Sequence, residues 1–279
     1  MSAQPNKNTL PFHGKPTAAV VFISPAMAER WMKHNTKNRR LREDDIRAYA
    51  RDMGAGAWNL TGEAIKFAPD GTLLDGQHRL VAIIRAGVTV PIFVVRGIAP
   101  DSQRVMDTGL KRTASDALTI SGESHTTVLA AASRLALGVE AGLPDPGHYP
   151  ATHSEIESFI EDNPTIRVAA EFAAHHARRT DCPPAVVAYT FWVLSAINTA
   201  DATAFWVSAA DKVGLTAGDP VIALTNRFAE SRRNRENITK RIYLSLIYRA
   251  WNARRAGKTM TFIRINSPAG GLVPVPAPK

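Results

Sequence analysis

Apolar and polar positions follow two rhythms along this chain. Up to about residue 100, short apolar runs are separated by turn chemistry; from about 116 onward, longer alanine-rich stretches carry the three-to-four spacing of helices. "AAVVFIS", residues 18–24, predicts a strand, and Ser24-Pro25 then predicts a helix start, with Ser24 as N-cap. A second helix is predicted across 42–54, where Ile46, Tyr49, Ala50 and Met53 recur at i, i+3, i+4 and i+7, before Gly54 and Gly56. "EAIKFAPDGTLLD", 63–75, predicts a hairpin turning at Pro69-Asp70-Gly71. Beyond Arg79, Leu80, Ile83, Ile84 and Gly87 share one helical face, and "VTVPIFVVRG" predicts the next strand. Helices follow at about 125–141, 153–162, 165–179, 184–198, 201–213, 219–231 and 236–256. Thr152 and Glu155 have capping-box spacing. Gly257 stands where a helix C-cap belongs, and "MTFIRI", 260–265, predicts one late strand.

The 279 residues, 45% hydrophobic and 21% charged, suffice for a packed core in one large or two small domains. The formal net charge of +9 favours a polyanionic partner, nucleic acid ahead of an acidic membrane surface. Cys182 is the single cysteine, which excludes an internal disulfide. Met1 to Lys15 is polar and lacks the apolar core of a secretion signal. No run reaches the roughly 18 apolar residues needed to span a bilayer. These features predict a cytoplasmic protein without a membrane partner.

The densest chemistry lies where a strand hands over to a helix, in "LLDGQHRLVAIIRAG", 73–87. A helix N-terminus offers backbone N–H groups and the positive end of a dipole, and a glycine before it lets a phosphate approach. Arg79 can bind phosphate oxygens bidentately, His78 can donate to phosphate or shuttle a proton, and Gln77 can bond phosphate or sugar. Asp75 can hold Mg²⁺, orient its neighbours or act as a base. Asp-Gly is also ordinary turn chemistry, in which Asp75 only caps and Arg79 is only a solvated charge.

These residues closely resemble the DGQHR form of the signature of the ParB/sulfiredoxin superfamily. The frame around them is similar too: a helix ending in "YARDMGAGAW", a strand pair, the motif with its helix, and "VPIFVV". The resemblance covers about residues 17–115 and implies that the turn binds nucleotide phosphates. Partitioning members of the superfamily use CTP; sulfiredoxins and free-serine kinases use ATP or ADP; some relatives are nucleases. The resemblance implies that Asp75, Gly76, Gln77, His78 and Arg79 form the nucleotide-phosphate site, with ATP or CTP and Mg²⁺ as cofactors. Gln77 stands where sulfiredoxins carry their catalytic cysteine, which argues against sulfinic-acid reduction.

Several neighbours complete the expectation. Glu63, at the start of the preceding strand, can hold Mg²⁺ with Asp75 or accept a proton from a hydroxyl; Thr61 can contact phosphate. In "MDTGLKRTASDAL", Asp107 can be a second metal ligand or base and Arg112 can face the transferred phosphate, although this is also a loop leading to a helix capped by Thr113 or Ser115. Arg39, Arg40 and Arg42 precede the second helix, where a solvated face and a phosphate contact both fit. The clusters at 226–241 and 248–258 include Arg232, Arg233, Arg235, Lys240, Arg254 and Arg255, candidates for DNA phosphates. The interspersed Tyr243, Tyr248 and Trp251 either stack on bases or belong to a core helix. His175-His176 with Cys182 fits no zinc pattern.

The expected fold class is α+β: a flexible tail at 1–16, a ParB/sulfiredoxin-like nucleotide-binding domain at 17–115, a basic all-helical C-terminal domain at 116–266 and a flexible tail at 267–279. The expected function is a nucleotide-dependent phosphotransferase or NTPase acting on DNA, with a hydroxyl-bearing modified base in phage DNA as a fitting acceptor. Two alternatives stand beside it: a CTP-switched DNA-binding protein and a Mg²⁺-dependent nuclease. The oligomeric state is left open.

Overall fold

The computed structural model describes residues 15–36, 38, 40–106, 113–264 and 271–279. The fold is mixed α+β, and the chain divides into two compact units, Met1–Lys111 and Arg112–Lys279. Arg39, Asp107 and Arg112 lie outside the described residues, as do positions 1–14 of the expected N-terminal tail.

The first unit contains β1 (Thr17–Ile23), α1 (Pro25–Met32), α2 (Glu43–Gly54), β2 (Ala64–Phe67), β3 (Leu73–Asp75), α3 (Gln77–Ala86) and β4 (Val90–Arg96), followed by a 3₁₀ turn at Pro100–Val105. The sheet order is β1-β4-β2-β3. β4 pairs antiparallel with β1 and parallel with β2, and β2 and β3 form the predicted hairpin. Its turn closes because Asp70 Oδ1 accepts the Thr72 N–H at 2.9 Å and Gly71 takes a φ of +86°. Edge strand β1 buries only Ile23 completely. Ile46 and Met53 of α2 and Leu80 and Ile83 of α3 bury the predicted helical faces against Ile65, Phe67, Leu73, Ile92 and Val94 of the sheet.

The second unit holds α4 (Ala114–Ile120), α5 (Thr126–Glu140), α6 (His153–Asp162), α7 (Ile166–His176), α8 (Pro184–Asp211), α9 (Pro220–Arg233) and α10 (Lys240–Arg255). The predicted division of α8 is visible as a kink at Asn198, whose backbone leaves the helical region and whose Oδ1 accepts the Asp201 N–H at 2.9 Å. Thr152 and Glu155 form the expected capping box, with 3.2 and 2.7 Å bonds. Phe205, Trp206, Phe228 and Trp251 are completely buried and fill much of the core. No described helix is long and apolar enough to cross a membrane.

Two expectations fail here. Residues 260–264 form no strand: the described residues of this unit include no sheet for them to join. Instead Met260 N–H donates to the Gly218 carbonyl and Ile263 enters the helical core. Residues 271–279, expected as a loose tail, run along α10. Arg241, Ser245, Trp251 and Asn252 donate to the carbonyls of Val273, Pro274, Lys279 and Ala277 at 2.7–2.8 Å. Proline removes backbone donors but leaves the carbonyls as acceptors, so side-chain donors hold the segment.

Cys182 is buried, and burial pushes its thiol well above the ordinary range. Since the thiolate is the reactive form, native protein at pH 8 is expected to resist an aromatic disulfide reagent and to react with one equivalent in urea. Rapid stoichiometric labelling of the native chain would contradict this packing.

Candidate functional site

The turn between β3 and α3 is built by Gly76. Its φ of +103° swings the chain from strand to helix, and its missing side chain lets β2 pass close by, since a Cβ there would lie 2.7 Å from Ile65 Cγ1. Helix α3 therefore begins without a side-chain cap and without an acidic residue in its first turn. The acid nearest to its positive dipole end is Asp75, one residue before the N-cap, whose Oδ1 accepts the Gly76 N–H.

Four charged side chains gather there. Asp75 Oδ2 lies 3.0 Å from Lys66 Nζ and 3.8 Å from Arg79 Nη2; Glu63 Oε2 lies 3.7 Å from the same Arg79 nitrogen. Arg79 is 12% exposed, and among the described residues its buried Nη1 has no hydrogen-bond partner. A buried guanidinium donor without an acceptor is costly; Nη1 is closed to solvent, so an anionic ligand would satisfy it once the side chains around it move aside. Glu63, at 67% exposure, stands at the open side. Thr61 is exposed, and its hydroxyl accepts the Glu63 N–H at 3.3 Å.

The carboxylates fit a resident Mg²⁺ poorly. Both oxygens of Asp75 are committed, Oδ1 to the Gly76 N–H at 2.7 Å and Oδ2 to Lys66. A cation there would have to displace an ammonium, so Asp75 serves as the counter-ion that holds Lys66 and Arg79 in place. Among the described residues, only Glu63 remains for a metal from the expected pair.

Gln77 and His78 turn inward, against expectation. Both are buried. Gln77 Oε1 accepts the Asn35 Nδ2–H at 3.0 Å, and His78 Nε2 accepts the Arg42 N–H at 2.9 Å. The latter bond places the His78 proton on Nδ1 and fixes where α2 begins, since Arg42 is the N-cap of α2. The inward set continues as a chain of amides. Gln103 donates to Asn38 Oδ1 at 2.9 Å, and Asn38 donates to Asn35 Oδ1 at 2.6 Å. Gln103 and Asn38 also donate to the carbonyls of Leu74 and Leu73, satisfying the open edge of β3.

Sequence reasoning missed Lys66 and these amides. Lys66 had a signal: it is the polar position of an alternating strand and sits directly opposite Asp75 in the hairpin register. The amides come from three separate segments, which no local spacing connects.

The six cations expected to meet DNA divide in the helical unit. Arg254 binds Asp219, the Ala204 carbonyl and Ser208; Arg255 binds Asp201 and the Lys279 carbonyl and lies over Trp251. Arg232 pairs with Asp181, and Lys240 Nζ stands 5.8 Å from the Tyr243 ring centre. Arg233 and Arg235 are exposed and form no ion pair among the described residues. Tyr248 and Trp251 are core residues, so neither is placed to stack on a base. No family model matches the chain, and neither a curated protein nor a solved structure matches it.

Proposed function

We propose that the β3–α3 turn is the phosphate-binding site of a nucleotide-dependent phosphotransferase that acts on DNA, the activity toward which the ParB/sulfiredoxin-like motif points. The supporting observation is the buried, unpartnered Arg79 Nη1 at an uncapped helix start, with Asp75 orienting the guanidinium and Lys66 beside it. Arg79 and Lys66 bind phosphate oxygens and neutralise charge on the phosphoryl group as it moves. Exposed Glu63 accepts the proton of the acceptor hydroxyl. A nucleotide would bring its own Mg²⁺ on its phosphates; the chain's part is to hold and orient them. The finer reading of the acceptor, a hydroxyl-bearing modified base, rests on the motif and the net charge of +9.

Arg79 and His78 should separate by experiment. Arg79→Ala is expected to weaken nucleotide binding at least about tenfold, the scale of a lost charge-assisted contact, with little loss of fold stability. His78→Ala is expected to lower stability by about 1–3 kcal/mol, because the Arg42 N–H loses its buried acceptor. Isothermal titration with ATP, CTP, GTP and UTP, paired with thermal melts, reads both effects. γ-Labelled ATP with modified and unmodified duplexes reads transfer. Nucleotide affinity unchanged in Arg79→Ala would remove the site. CTP binding without transfer would favour a switch, and Mg²⁺-dependent cleavage of the duplex a nuclease.

A further inference from the structure

We propose that His125, Glu171 and His175 form a binding site for a divalent transition-metal ion of the zinc, cobalt and nickel class, within the helical unit and independent of the nucleotide site. One ligand-capable atom from each of the three side chains lies within 4.8 Å of the others. The local structure explains the convergence. Glu171 and His175 are four residues apart on α7, so they occupy one face a turn apart. His125 is the residue before α5, which packs on α7; its backbone takes φ +52° and ψ +33°, uncommon outside glycine, and its carbonyl accepts the Val128 and Leu129 N–H groups at 2.9 Å. That conformation sets the two imidazoles edge to face, with ring centres 5.8 Å apart.

The donor chemistry selects the ion. Two imidazoles and a carboxylate suit zinc and its neighbours, whereas magnesium and calcium take oxygen donors. Zinc–nitrogen bonds of about 2.0–2.1 Å in a tetrahedron place ligand atoms about 3.3 Å apart. All three side chains are exposed, so modest rotamer changes close the gap. Glu171 makes no ion pair or side-chain hydrogen bond among the described residues, so recruiting it breaks no contact there. Three protein ligands leave a position for water. His176 stands apart from the cluster: it stacks on Phe172 with ring centres 4.4 Å apart and contacts Arg179 at 3.1 Å.

The full-length protein, stripped with a chelator and dialysed, should be titrated with Zn²⁺ against a chromophoric competitor and with Co²⁺ by visible absorption. One equivalent should bind per chain, give the intense ligand-field bands of low-coordinate Co²⁺ and raise the melting temperature. His125→Ala, Glu171→Gln and His175→Ala should each weaken Zn²⁺ at least about tenfold, because even outer partners of metal ligands cost that much. His176→Ala should bind as the parent does. The melts establish folding without metal, since all three positions are exposed. Absence of stoichiometric binding, or equal affinity in the parent, His125→Ala and His175→Ala proteins, would overturn the site and leave only an imidazole pair brought together by helix packing.

Discussion

Gly138→Ala should destabilise the helical unit by about 3 kcal/mol, although helix propensity alone promises a gain of about 1 kcal/mol. Gly138 is buried inside α5. A Cβ there would lie 2.0 Å from the Pro146 carbonyl oxygen, 2.7 Å from its carbon and 2.8 Å from its Cα. All three are backbone atoms, so no rotamer change relieves the contact. The chain at 146–148 is itself fixed: Pro146 is buried, and Asp145 caps the turn and lies 3.0 Å from His148. Relief requires the turn to leave the helix, opening the core behind it. For a unit of this size the loss corresponds to a fall in melting temperature of about 6–12 °C. Gly54→Ala is the control, since a Cβ there meets nothing within 4 Å; it should be neutral or slightly stabilising. Equal melting temperatures for the parent and Gly138→Ala would show that the turn yields freely.

Local chemistry explains what could be read from the chain. Ser24-Pro25, Thr152 with Glu155, and Pro69-Asp70-Gly71 specify caps and turns through bonds spanning a few residues, and the structure shows each of them. The faces of α2 and α3 were legible because helical spacing puts Ile46 with Met53 and Leu80 with Ile83. "MTFIRI" misled because an apolar β-branched run carries no information about whether a sheet edge is near it. The turn at 75–79 was legible as a place, but only partly as a set of roles. Its sequence shows four polar side chains in five residues; which of them face inward depends on Asn35 and Arg42, some forty positions earlier. His125 was invisible as a partner of His175 for the same reason, being fifty residues away and joined to it only by helix packing.

Gly76→Ala should abolish the folded state of the first unit at modest temperature, through two costs that add. At φ +103° and ψ +7° an L-residue is strained by about 1–3 kcal/mol. The new Cβ would also lie 2.7 Å from Ile65 Cγ1 and 3.1 Å from Ile65 Cα and Cβ, an overpacking worth about 1–3 kcal/mol more. Ile65 cannot retreat, because it is completely buried on β2 between β3 and β4. A combined loss of about 4 kcal/mol would lower the melting temperature of a unit of about one hundred residues by about 15–30 °C. The double variant with Ile65→Ala separates the terms. Ile65→Ala alone costs about 2–5 kcal/mol as a cavity; in the Gly76→Ala background it should cost at least about 1 kcal/mol less, because it also removes the closest clashing atom. Strict additivity would mean that backbone strain alone demands glycine. Coupling would mean that this glycine is fixed by the strand packed behind it whatever phosphate lies in front, so the position is set by the fold and cannot itself testify to a nucleotide. The weight of that question then falls on Arg79, whose buried donor the fold leaves unanswered.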